Sequence, residues 1–208
     1  MARNKYSGTL AVLFIMVFAL AAGAGTLRAQ EEVNLSFDAF AVAMGTSNPP
    51  VMPRGATSTT LQINITRWTT DEEREGLFAE LVENGQEGLV EALRKQEETG
   101  WARARTRGGG MSSMPSERLR YARQFDLGEG RSRIVLGLDR PISLWESANR
   151  PRWNDYDMTL IVLDLDENGE GEGQLAMAVR LDLNRETNEL TIENFGTEPV
   201  RLTRVTKR

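Results

Sequence analysis

Three stretches of this chain hold residues whose types and spacing could do chemistry. The most suggestive runs from Pro141 to Asp157 (PISLWESANRPRWNDYD) and sets Trp145, Trp153 and Tyr156 beside Arg150 and Arg152. Aromatic faces flanked by Arg, Asn and Asp suit an apolar, aromatic or sugar ligand. Pro141 and Pro151 make the segment irregular, and long loops inside compact domains often line sites. The plainer reading is that the rings cover a sheet end and close the core. Trp145, Arg150, Arg152, Trp153 and Tyr156 are therefore the candidate ligand-binding residues. Asp155 and Asp157 with Glu146 offer a glycosidase-type carboxylate pair, although such pairs are common on acidic surfaces.

The second stretch, 101–133, carries eight arginines against Glu117, Asp126 and Glu129, a local charge near +5. Arg103, Arg105 and Arg107 fall on one face of a strand. Arg118 and Arg120 follow the glycine-rich run Gly108-Gly109-Gly110-Met111-Ser112-Ser113. Guanidinium forks suit a carboxylate, phosphate or sulfate; the alternative is simple pairing with the Asp- and Glu-rich strands near the C-terminus. The third stretch opens Asp164, Asp166, Asn168, Gly169 like half of a calcium loop, but the twelfth position is Leu175 rather than a bidentate Glu. Asn168-Gly169 between two alternating runs reads instead as a hairpin turn.

What the chain lacks bounds the rest. It has no His and no Cys, which excludes a Ser-His-Asp triad, a thiolate nucleophile and a conventional zinc site. No metal or cofactor is implied. The first thirty residues read as an export leader: basic Arg3 and Lys5, a thirteen-residue apolar run from Leu10 to Ala22, then small residues that place cleavage near 24 or 29. The run is short for a spanning helix, so no stable membrane insertion is expected once it is removed. Arg3 and Lys5 belong to this leader and none of the 30 acidic residues does, leaving 23 basic residues and a net charge near −7 for cleavage near 24. Such a balance disfavours nucleic acid, whose non-specific binding rests on neutralising phosphates. Export without disulfides suits a bacterial periplasm or the extracellular space better than an animal secretory route.

The elements that must position these residues are mostly strands. Leu61, Ile63 and Ile65 alternate with polar residues, as do Ile134, Leu136 and Leu138, and Leu175, Met177, Val179, Leu181 and Leu183. Leu119, Tyr121 and Phe125 alternate more loosely. Met158 to Leu165 is apolar on both faces and looks central. With Leu35 to Met44, Leu190/Ile192 and Val200/Leu202, eight or nine strands are expected. Between them Thr70 and Glu73 form a capping box. Leu77, Phe78, Leu81 and Val82, then Leu89, Val90 and Leu93, form apolar stripes on either side of Asn84-Gly85, which predicts two short helices or one kinked helix. The expected architecture is one β-rich domain over 30–208 of the α+β class. It is a strongly bent antiparallel sheet or partly closed barrel, with a helical hairpin at about 70–99 packed across it.

From about residue 33 the chain resembles a family of exported bacterial proteins with no assigned function. The resemblance rests on Arg120-Tyr121-Ala122-Arg123-Gln124, on Asp139-Arg140-Pro141-Ile142-Ser143 with Trp145-Glu146, on the run from Tyr156 through Leu181, and on Glu198-Pro199-Val200-Arg201-Leu202. It implies no activity and no site residue. The functional expectation is a non-catalytic ligand-binding or interaction domain of the envelope, its partner a small apolar or anionic molecule or another envelope protein. A carboxylate-based hydrolase acting on glycans, and a purely structural envelope protein, are the alternatives.

Overall fold

A computed structural model describes residues 32–45, 55–105, 116–140, 142, 158–184, 189–194 and 200–208. In chain order they form β1 (Glu32–Gly45), β2 (Gly55–Arg67), α1 (Asp71–Lys95), β3 (Gly100–Arg105), β4 (Glu117–Leu119), β5 (Tyr121–Gly128), β6 (Arg131–Leu138), β7 (Met158–Leu165), β8 (Glu170–Asn184), β9 (Glu189–Asn194) and β10 (Val200–Lys207). All the strands join one antiparallel sheet in the order β4-β3-β2-β1-β10-β8-β7-β6-β5, with β9 on β8. The path is a nearly closed barrel. Its two ends, β4 and β5, adjoin through Arg120 but do not ladder to each other, which leaves one seam unsealed. Single hydrogen bonds flank the seam: Thr99 N–H to the Leu119 carbonyl (2.8 Å), Arg120 N–H to that of Gly137 (2.9 Å), and Thr69 N–H to that of Ala122 (2.9 Å).

The tenth strand arises at Arg120, where the loose alternation of Leu119, Tyr121 and Phe125 breaks. Leu119 and Ala122 point into the barrel, whereas Tyr121 packs outside beneath the helix. A comparable switch occurs in β8. Leu160 pairs with Ala176 but Met158 with Val179, so β8 carries an extra residue there. This bulge sends Leu175 inward and Val179 outward, although both belong to one alternating run. The side chains of Met177 and Leu183 in that run lie outside the described ones.

The interior is filled. Phe37 and Ala39 from β1, Leu61 and Ile63 from β2, Leu136 from β6, Leu163 from β7 and Leu202 from β10 are all at most 2% exposed within one cluster. With β4 and β5 counted as one stave and β9 continuing β10 along the same edge of β8, the barrel has eight staves. That is a size whose lumen side chains just fill. Gly171 and Gly173 let β8 press on β7: a Cβ on Gly171 would lie 2.0 Å from the Asp164 carbonyl oxygen.

The expected helical hairpin is corrected to one helix with a sharp kink. The capping box is present, with Thr70 Oγ1 accepting from Glu73 N–H and Glu73 accepting from Thr70 N–H at 2.8 Å. Helical backbone resumes directly after Gly85, with no connecting loop. Gly85 itself has φ 67° and ψ −158°, a conformation that costs an L side chain and suits glycine. A straight helix of this length would span about 37 Å. Arg67 nevertheless reaches both ends, bonding Glu73 in the first turn at 2.9 Å and the Glu97 carbonyl just beyond the last at 3.0 Å. The bent helix lays Leu77, Leu81, Leu89, Val90 and Leu93 over Met158 and Val179. It thus covers only the β8-β7-β6-β5 side of the barrel. Among the described residues no helix is long and apolar enough to cross a membrane.

Candidate binding site at the barrel rim

Antiparallel register puts the ends of β1, β3, β6 and β8 at one rim, from which the connections 46–54, 106–116, 139–157 and 185–188 depart. The opposite rim carries the tight turns 129–130 and 166–169 and the helical crossing. Trp145, Arg150, Arg152, Trp153 and Tyr156 lie outside the described residues, as do Glu146, Asp155, Asp157, Arg107 and the run 108–113. Both roots of the 143–157 segment are described, and both are held in the core. Ile142 is 1% exposed and donates its N–H to Thr159 Oγ1 at 2.9 Å, while Thr159 and Met158 are themselves buried.

Below that root lies a charge pair that the alternation analysis missed. Asp139 is 3% exposed, and its carboxylate lies 3.4 Å from Arg120 Nε. Arg120 also donates to the Gln96 carbonyl at 2.7 Å, placing its cation at the helix C-terminus. Arg140 meets both Asp139 (3.3 Å) and Glu117 (3.7 Å). The residue just before β5 and the residue just after β6 thus meet in one pair. The sequence signal was weak, since Arg120 simply fills the polar position between Leu119 and Tyr121 in the alternating pattern.

The described carboxylates with a resolved shift are held low. Burial alone would raise Glu73, but hydrogen bonds from Arg67 and the Thr70 N–H, with the Arg67 charge, bring it below the ordinary value. Asp71 is lowered by a hydrogen bond and charge from Arg123, and Asp166 by the backbone N–H groups of Glu170 and Asn168. A glycosidase acid needs the opposite shift. Asp166 closes its own turn, accepting from Asn168 N–H and Glu170 N–H at 2.9 Å each, while Asp164 is bound by Arg133 in a two-point pair at 2.6 and 2.9 Å. The half calcium loop is a hairpin turn whose two carboxylates already have partners. No cluster of three metal-ligating side chains occurs among the described residues.

The arginines find acids, but seldom on the C-terminal strands. Arg67 pairs with Glu73, Arg118 with Glu98, Arg120 with Asp139, Arg123 with Asp71 and Arg133 with Asp164. The partners come from the helix, its flanks and neighbouring strands. Arg103 is different: it donates to Gln62 Oε1 at 2.9 Å and lies over the Trp101 ring, 4.8 Å from its centroid. Gln62 in turn donates to Asp38, which Arg208 also binds. This ladder belongs to the outer face of β3-β2-β1-β10, which α1, the one helix among the described residues, does not cover.

No family model, no curated protein and no solved structure matches the chain.

Proposed function

We propose that the protein is an exported envelope protein of the family it resembles. In this reading the barrel is a non-catalytic binding or interaction domain, and the segment with Trp145, Arg150, Arg152, Trp153 and Tyr156 is its ligand-contacting part. The observation that carries this reading is the double anchoring of that segment: Ile142 is bonded to Thr159, and Asp139 is buried against Arg120. A connection whose two roots are fixed in the core can present side chains at low entropic cost. The filled apolar interior supports a site on the rim rather than in the lumen. The partner is a small apolar or anionic molecule or another envelope protein.

Native mass spectrometry of the processed protein from its own host tests this. A mass above that of the chain, lost on denaturation and absent from Trp153→Ala with an unchanged melting temperature, is the expected result. A bare monomer mass in both proteins, with no co-purifying protein, would overturn the reading.

A further inference from the structure

The described arginines divide by location. Arg67, Arg118, Arg120, Arg123 and Arg133, on the helix-covered side and at the seam, are matched to carboxylates. On the open outer face, Arg103, Arg105, Arg201 and Arg204 have no carboxylate partner among the described residues. Register places them together. Arg105 of β3 stands across Thr60 and Phe40 from Thr203 of β10; Arg103 lies two residues back along β3, level with Asp38, and Arg201 two residues from Thr203 in the other direction, level with Val42. Three strand spacings separate β3 from β10, about 14 Å across the face. The opposite side carries α1, with eight acidic and three basic residues. The molecule is therefore electrically polarised, with unmatched guanidinium groups on one side of a protein that is acidic as a whole.

Arg204 adds an independent observation. Three steps of β10, from Thr203 to Thr206, face two on β1, from Phe40 to Asp38, so β10 bulges here. Arg204 takes φ 51° at this bulge, a left-handed conformation that glycine would occupy more cheaply. Its side chain is exposed, and no described carboxylate pairs with it. Glu172 of β8 faces the bulge in register but forms no ion pair with Arg204. The fold thus accepts backbone strain where it displays an arginine with a free guanidinium among the described residues.

We propose that this face, Arg103, Arg105, Arg201 and Arg204 on the uncovered outer surface of β3-β2-β1-β10, docks an extended phosphate-bearing polymer. Charge complementarity defines the ligand's sign. Phosphate accepts hydrogen bonds from several directions, which suits guanidinium groups arriving from separate strands better than a single two-point carboxylate does. The outer wall of a barrel is convex, so a flat bilayer meets it along a line, whereas a flexible chain wraps around it. This site is separate from the Trp145–Tyr156 segment, and its fate does not depend on that reading.

The test uses the processed protein and long-chain inorganic polyphosphate, followed by calorimetry at 50 and 200 mM salt. Four phosphate contacts, each releasing condensed counterions as on a single-stranded polyanion, predict a loss of affinity of roughly 50-fold between those concentrations. The combined variant Arg105→Gln, Arg201→Gln, Arg204→Gly should keep its melting temperature, because glycine suits the bulge. It should bind at least 10-fold more weakly at 50 mM, with a flatter salt dependence. Trp153→Ala should bind polyphosphate like the parent. No binding of polyphosphate, or equal binding by the combined variant, would refute the proposal. Equally tight binding of polyglutamate would remove phosphate as the ligand class. Capture by phosphatidylglycerol vesicles without polyphosphate binding would assign the face to a membrane, and self-association abolished in the combined variant would assign it to a second copy.

Discussion

The two sides of the barrel solve the same problem with different materials. On the covered side, β7 is apolar on both faces: Ile161 and Leu163 point inward, while Met158 and Leu160 pack outside beneath the helix. On the open side, β3 and β10 alternate, with Ala102, Ala104, Leu202 and Val205 inward and Arg103, Arg105 and Arg201 outward. The difference shows that the helix decides the outer composition. Where it lies, outward residues belong to a second core; where it does not, they are polar, hydrogen-bonded into ladders, or left charged.

The comparison breaks most decisively inside. Leu163→Ala removes a fully buried side chain from the interior and should cost about 3 kcal/mol in denaturant unfolding, whereas Ser58→Ala on the open face should stay within about 0.5 kcal/mol. Equal effects would mean the lumen is not a packed core. Next comes Arg67, whose side chain is 9% exposed and ties both ends of the bent helix to β2. Arg67→Ala should cost about 3 kcal/mol, leaving Glu73 and the Glu97 carbonyl without their partner, and should raise amide exchange in α1 before the barrel opens. Exchange rising evenly through helix and barrel would show that the helix is not a separate layer.

A smaller effect is expected at Gln86, directly after the kink. Its amide donates to the Val179 carbonyl at 3.0 Å and accepts from Leu181 N–H at 2.6 Å, standing in for a strand on that edge of β8. Gln86→Ala should cost about 1 to 2 kcal/mol and speed exchange at the Leu181 amide specifically. An unchanged Leu181 amide would show that the edge is guarded by something else.

The smallest effect is the pH dependence of the helix cap. Glu73 is held below its ordinary 4.5 in the folded protein. Its contribution is therefore complete above that value and is lost as pH falls through the lowered folded value. Glu73→Gln should flatten the fall in stability below about pH 4.5 by about 1 kcal/mol. A variant that loses stability with acid as steeply as the parent would place the acid sensitivity in other carboxylates, Asp71 beside Arg123 first among them.

Much of this architecture was legible from local pattern. Period-two alternation in Leu61–Ile65 and Ile134–Leu138 marked one-sided strands, the two-faced Met158–Leu165 marked a strand covered on both sides, and Thr70 with Glu73 marked the helix start. These succeed because the pleat of a strand and the turn of a helix are set within a few residues. The aromatic and basic segment at 141–157 could be singled out only by type, since spacing along an irregular loop says nothing about which side chains converge.

Sequence alone, then, determined the antiparallel class of the sheet, the capped and interrupted helix, and the chemistry that His and Cys are not present to do. Tertiary structure decided the rest. It divided one run at Arg120 into two strands, reversed the faces of Leu175 and Val179 across a bulge, and bent the helix until Arg67 touched both of its ends. It also joined Arg120 to Asp139 and collected Arg103, Arg105, Arg201 and Arg204 on one uncovered face. The reason is physical: inward and outward are defined only once the sheet curves and closes. That closure depends on contacts between strands far apart in the chain, which no local period records.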